Sequence, residues 1–208
     1  MKPKQALAPA KKATVHKPAA HATHEIRIIG GQWKRTKLKV LDKPGLRPTP
    51  DRVRETLFNW LGQDLTGWKV LDAFAGTGAL GFEAASRGAR EALLVEQDSA
   101  LVVQLQKLKG QLQADALRVQ RGDGVAAIAQ AAAGSLHLIF LDPPFEAELF
   151  APALRHCARA LAPDGWVYLE APRAWTDDEV RPLGLRVHRH LKAGMVHAHL
   201  LAPADAAA

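Results

Sequence analysis

From Lys69 onward the chain repeats one unit: a short apolar run, a turn, then a longer stretch with apolar residues at helical spacing. The apolar runs are Lys69–Phe74, Ala92–Glu96, Leu117–Gln120, Leu136–Leu141 and Trp166–Glu170, and the helical stretches are Ala79–Arg87, Ser99–Leu112, Gly124–Ala132 and Glu146–Leu161. Strands separated by helices cannot pair through tight turns, so they predict a parallel sheet covered on both faces, an α/β fold. Val187–Leu191 and Met195–Leu201 flank Lys192-Ala193-Gly194 and predict a terminal antiparallel hairpin. Apolar residues make up 48% of the 208, enough for a core, and no apolar run approaches the ~18 residues of a membrane span. There is no internal repeat.

The turn after the first strand is Asp72-Ala-Phe-Ala-Gly76-Thr-Gly78-Ala-Leu-Gly81. Glycines there let a ligand approach the backbone, and Glu96 at the next strand end suits a pair of ribose hydroxyls. Taken alone, the pattern fits a dinucleotide as well as it fits other adenosine cofactors. Asp72 separates them, because a carboxylate beside the loop repels a pyrophosphate and attracts an ammonium or sulfonium. Asp123, after the third strand, can accept the adenine amino group. Three acids at three successive strand ends point to S-adenosyl-L-methionine, with Phe74, Thr77, Gln97 and Gly124 completing the candidate cofactor set. The competing reading is that Asp72 and Asp123 cap helices.

The fourth strand runs into Asp142-Pro143-Pro144-Phe145. Two prolines fix φ and remove two backbone donors, leaving a rigid corner with free carbonyls. Asp142 and the Pro143 carbonyl can accept both hydrogens of a planar amine, and Phe145 offers a face to a base drawn out of its stack. Direct methyl displacement needs positioning and electrostatics, without a covalent enzyme nucleophile. The lone cysteine, Cys157, falls mid-helix and reads as packing.

Charge is unevenly placed. Residues 1–54 hold 14 of the 28 Lys and Arg but only three of the 21 Asp and Glu. Residues 1–24 are rich in Ala, Pro and Lys and predict a disordered basic tail. Residues 25–62 predict a hairpin bearing Arg27, Lys34, Arg35 and Lys37, then a helix capped by Thr49 with Pro50 at its first position. Val53, Leu57, Trp60 and Leu61 share its apolar face, and Arg52 and Arg54 are expected off it. A basic segment on a mildly acidic body fits a polyanion partner.

These residues together resemble the class I S-adenosylmethionine-dependent methyltransferases. Arg27-Ile-Ile-Gly-Gly-x-Trp33 and Arg47-Pro-Thr-x-Asp51-Arg-Val-Arg-Glu55-Thr-Leu-Phe-Asn-Trp60 are similar to the signature of the RsmD-type bacterial 16S rRNA guanine-N2 methyltransferases. The resemblance spans about residues 25–201. It implies a Rossmann-like, seven-stranded, mostly parallel sheet over residues 63–203, with 204–208 a short tail. It implies S-adenosyl-L-methionine as cofactor and transfer to the N2 of one guanine, position 966 of 16S rRNA. Asp72, Gly76 and Gly78 would hold the methionine part, Glu96 the ribose and Asp123 the adenine. Asp142 to Phe145 would hold the guanine, with Arg47, Arg52 and Arg54 seating RNA. A cytoplasmic monomer acting on the small subunit or its assembly intermediate, with no membrane or metal, is expected.

Other readings share parts of this pattern. An amine on adenine, cytosine or glutamine would also suit Asp-Pro-Pro-Phe, and a non-catalytic RNA-binding module would keep the basic segment alone. His188, His190, His197 and His199 would share one face if Ala193-Gly194 formed the turn, but a half-exposed sheet face explains them without a metal.

Overall fold

The computed structural model describes residues 24–204, except 42, 44, 45, 47, 48 and 145–148. Of the expected tails over 1–24 and 204–208, His24 belongs to a strand and Ala204 is described; the rest, together with Arg47 and Phe145, lie outside the described residues.

Seven strands form the main sheet: β3 (Lys69–Asp72), β4 (Glu91–Glu96), β5 (Leu117–Arg121), β6 (Leu136–Leu141), β7 (Leu161–Ala171), β8 (Leu185–Ala193) and β9 (Val196–Pro203). Their order is β5-β4-β3-β6-β7-β9-β8, parallel from β5 to β7, with β9 antiparallel to β7 and to β8. The Rossmann-like expectation is met.

Three helices follow strands in order: α2 (Ala79–Ser86), α3 (Ser99–Leu112) and α4 (Gly124–Gln130). Asp98 begins α3 by accepting the amides of Ala100 and Leu101, and Asp123 begins α4 by accepting that of Ala126. Helix α5 (Phe150–Ala160) starts later than expected, and a short α6 (Asp177–Val180) and a 3-10 turn (Arg181–Leu183) follow β7. One face of the sheet packs Val70, Leu138, Phe140 and Tyr168 against the N-terminal elements, α2 and α3. The other packs Leu71, Ile139, Leu141 and Leu169 with Ile128, Leu154 and Cys157 of α4 and α5. No helix among the described residues is long and apolar enough to cross a membrane.

Upstream, β1 (His24–Arg27) and β2 (Lys37–Val40) pair antiparallel, and α1 (Asp51–Leu61) follows. Gln32–Arg35 belongs to the turn, so the second strand is shorter than expected. Gly30-Gly31 does more than reverse the chain. A Cβ on Gly31, whose φ is +72°, would lie 1.8 Å from the Ser86 carbonyl, so only glycine allows this approach to α2.

Helix α1 needs two corrections. Pro50 occupies the cap position and no side chain caps the helix; the Thr49 hydroxyl is turned elsewhere. Arg54 lies on the buried face beside Val53, Leu57, Phe58 and Leu61, while Trp60 is only half-buried. Its charge is matched locally. The guanidinium donates to Asp51 at 2.6 Å, to the Arg27 carbonyl at 2.9 Å and to buried Glu83 at 3.3 Å.

The terminal hairpin also differs from expectation. Its two-residue turn is Gly194-Met195, so His190 faces His199 and Lys192 faces His197. A bulge between Val187 and Arg189 sends His188 to the opposite face, 4.8 Å from the Trp166 ring. His199 is buried, its Nε2 accepts the Trp175 amide at 3.0 Å, and burial lowers its pKa to about 4.

Candidate active site

In open parallel sheets, ligands bind beyond the carboxyl ends of the strands where the order reverses. Here that point lies between β3 and β6. Asp72 pairs in register with Phe140, and Asp142 follows two residues later, so both acids reach the same crevice.

Asp72 is buried and accepts the Gly81 amide at 3.0 Å, which anchors the first turn of α2. Burial raises its pKa to about 7, against the lowering effect of the Gly81 amide, and the charge of Glu96 adds to the rise. The loop beyond it closes with Gly78 donating to the Ala75 carbonyl at 2.6 Å. Gly76 and Gly78 have φ of +52° and +81°, and a Cβ on Gly78 would lie 2.5 Å from Leu105. Thr77 is buried and Phe74 half-buried. Gly124 lets α4 meet the loop, since a Cβ there would sit 2.1 Å from the Ala73 carbonyl.

Glu96, half-buried at the end of β4, accepts the Gly76 amide at 2.8 Å with one oxygen and the Asp98 amide at 2.8 Å with the other. Asp123 is exposed; it caps α4 through Ala126 at 2.7 Å and accepts Gln97 Nε2 at 3.0 Å. Asp123 is thus the cap of α4, whereas Asp72 is not at the cap of α2, which is Gly78, and only accepts an amide of its first turn. Neither contact excludes ligand binding, because each carboxylate oxygen has a second lone pair.

At the fourth strand end Asp142 is half-buried, Pro143 buried and Pro144 exposed. Burial pushes the Asp142 carboxyl well above the usual carboxylate range, and the charges of Glu170 and Asp72 push it further. Glu170, at the end of β7, accepts the Tyr168 hydroxyl at 2.8 Å and a hydrogen bond from Thr49. Among the described residues no Lys or Arg forms an ion pair with Asp72, Asp142 or Glu170. A crevice with acids and no paired cation fits a ligand that brings positive charge of its own.

The sequence pattern of the family described as conserved hypothetical protein 95 matches residues 26–202. The chain is 43% identical over 187 residues to the ribosomal RNA small subunit methyltransferase D of Escherichia coli, covering 86% of this chain and 91% of that one. The Haemophilus influenzae protein of the same name is 35% identical over 188 residues, covering 81% and 94%. The solved Escherichia coli protein yhhF superposes with a TM-score of 0.75 at 40% identity, covering 86% of this chain and 98% of that one.

The chain belongs to the RsmD family of methyltransferases.

In this family member the matched region includes the N-terminal hairpin as well as the sheet. Arg27, Lys34, Arg35 and Lys37 of the hairpin are exposed, with Lys37 held 3.0 Å from Glu25, and Arg52 is exposed on α1. Arg54 is not available to a phosphate; its buried guanidinium ties α1 to β1 and α2. Three described residues between β2 and α1 make contacts with the sheet domain. Leu41 donates its amide to Gln104 at 2.6 Å, Lys43 pairs with Asp98, and the Leu46 side chain lies against Gly76.

Glu170, Tyr168 and Thr49 escaped the sequence reading. Glu170 reads there as the polar end of a strand, and Thr49 as a helix cap. The available signal was the alternation of Trp166, Tyr168 and Glu170, which places an acid on the face that carries the crevice.

Proposed function

We propose that this protein transfers a methyl group from S-adenosyl-L-methionine to the exocyclic N2 of a guanine in bacterial 16S rRNA, guanine 966 by family resemblance, within the small subunit or its assembly intermediate in the cytoplasm. The observation that carries the reading is the placement of Asp72 and Asp142 at the reversal of strand order, with Glu170 beside Asp142 and no ion-pairing cation on any of the three among the described residues. The names of the relatives support an rRNA acceptor, and the exposed bases of the hairpin support a polyanion.

The bound cofactor supplies an electrophilic methyl carbon on a sulfonium. Glu96 would accept the ribose hydroxyls and Asp123 the adenine amine, and Asp72, beside the glycine loop, would hold the methionine part. Asp142 and the Pro143 carbonyl accept the two amine hydrogens, which holds the nitrogen still and directs its lone pair towards the crevice. Phe145 is proposed to support the flipped base. Arg27, Lys34, Arg35, Lys37, Arg47 and Arg52 would bind the RNA backbone.

The test is tritiated-methyl transfer to small subunits from a strain lacking the enzyme, with nucleoside analysis. N2-methylguanosine at one position is expected; a methylated adenosine or cytidine, or no transfer, overturns the proposal.

A further inference from the structure

We propose that Glu170 is a positioning residue for this transfer: held by Tyr168 and Thr49, it keeps a second negative charge against Asp142 and makes that carboxyl the better acceptor for the proton the amine gives up. The inference rests on the reaction proposed above and assigns a part of it to a residue outside the Asp-Pro-Pro-Phe motif.

Glu170 is only 5% exposed. A buried acid is costly unless its hydrogen bonds and charge are satisfied, and an apolar residue of similar volume would fill this place as well for folding. Its support is directional. Tyr168 donates to Oε1 at 2.8 Å from the same strand, and Thr49 donates from the segment that precedes α1. The Tyr168 ring is fixed in turn, packed edge-on to Phe140 at 6.2 Å, which meets Phe58 of α1 at 6.4 Å. The carboxylate of Glu170 therefore has a set position near the end of β7, one residue beyond the Leu141–Leu169 pair, as Asp142 is on the neighbouring chain segment.

Among the described residues, the groups facing Asp142 are Glu170 and Tyr168 of β7 and Asp72 of β3, with Glu96 of β4 acting on Asp72. Burial raises the Glu170 carboxyl above its ordinary range and the hydroxyls of Tyr168 and Thr49 work against that rise, whereas among the described residues no such donor offsets the burial of Asp142. During transfer the N2 lone pair forms the N–C bond and the C–S bond breaks, its electron pair remaining on sulfur. The nitrogen, now positively charged, releases one proton to a carboxylate oxygen of Asp142. An ordinary carboxylate is a weak base for that step, and a fixed neighbouring charge strengthens it.

The experiment compares wild type, Glu170→Gln and Glu170→Asp in single-turnover methyl transfer across pH, with cofactor saturating. Removing the charge is expected to lower the transfer rate about tenfold or more while KM for RNA changes little. It also lets Asp142 ionise at lower pH, so the acid limb of the Gln variant moves down, and Glu170→Asp restores the limb towards wild type. A purely structural residue would lower the melting temperature and scale the whole profile with its limb unmoved, and that result overturns the proposal. Carboxyl-carbon NMR of the wild-type chain decides the matter even if the Gln variant fails to fold. Coupled titration of Asp142 and Glu170, with Asp142 above the ordinary carboxylate range, is expected; independent titration overturns it. Absence of transfer by wild type would count against the proposed reaction, and the NMR titration would still decide the coupling.

Discussion

Two groups of acids lie on the same face of this sheet and are treated oppositely. Glu83, in α2, is fully buried and fully matched: it accepts the amides of Ile29 at 2.8 Å and Gly30 at 2.7 Å, and pairs with Arg87 at 2.8 Å and Arg54 at 3.3 Å. Arg87 also lies 4.4 Å over the Phe58 ring. Asp72, Asp142 and Glu170 have hydroxyl or amide donors at most, and no ion pair among the described residues. The difference teaches where to look for chemistry. A carboxylate matched by two guanidinium groups holds the N-terminal segment in place, whereas carboxylates left without a counter-charge hold a site ready for a cation.

The contrast fails first if Asp142 is dispensable. Asp142→Ala is expected to lower methyl transfer by about 10²–10⁴-fold, with RNA affinity and melting temperature near wild type. Filter binding and calorimetry alongside the transfer assay check all three. Retained turnover would remove Asp142 from the acceptor site.

Glu83→Gln should show the reverse profile. It leaves Arg54 and Arg87 buried without their shared anion, and is expected to cost about 3–5 kcal/mol in urea unfolding. The residual folded protein should still bind cofactor, because Glu83 lies away from the crevice acids. A change below roughly 1 kcal/mol would place this cluster among ion pairs of little consequence.

Asp72→Asn tests the uncompensated side by stability. Asparagine can still accept the Gly81 amide, but no longer has a charge to bury. In wild type the folded chain holds the Asp72 proton more tightly than the unfolded chain, because its pKa is raised from 3.8 to about 7. Stability from this group is therefore full below the unfolded value and declines as pH rises from 3.8 towards about 7. The variant should lose that decline and melt at or above wild type at pH 8, while its affinity for S-adenosylmethionine falls about tenfold or more. Melting curves across pH without ligand check the first part, and calorimetric titration the second. An unchanged decline in stability would mean that Asp72 is ionised in the free protein.

What was legible in the sequence follows the range of the forces involved. The parallel sheet, the glycine loop and the Asp-Pro-Pro corner depend on local periodicity and backbone restriction, so Asp72, Glu96 and Asp142 were placed correctly at strand ends. Arg54 was misplaced because a charge on a helix is expected to face water unless a partner meets it. That partner, Glu83, lies 29 residues away in sequence. Glu170 was missed for the same reason: its donors Tyr168 and Thr49 come together only once α1 packs on β7. The histidine pairing differs because the turn is Gly194-Met195, one residue later than the sequence suggests, and the bulge between Val187 and Arg189, which has no clear sequence signal here, moves His188 to the other face.

The smallest expected effect concerns the exposed charges, where neither kind of compensation applies. Lys34 and Arg35 lie on the hairpin turn and are exposed. Each phosphate contact releases condensed counterions, so affinity falls with salt in proportion to the contacts made. Lys34→Ala or Arg35→Ala should weaken RNA binding only a few-fold at low salt, but make the plot of log affinity against log salt shallower by about 0.7–0.9 per lost contact. Arg54→Ala should instead lower stability, because the buried acid Glu83 loses a partner. In whatever fraction remains folded, it should leave the salt slope unchanged. Equal slopes for wild type and both hairpin variants would remove the turn from the RNA interface. A shallower slope for Arg54→Ala would mean that the N-terminal segment reopens to bring this arginine to the RNA, and the division between matched and open charges would then hold only for the ligand-free chain.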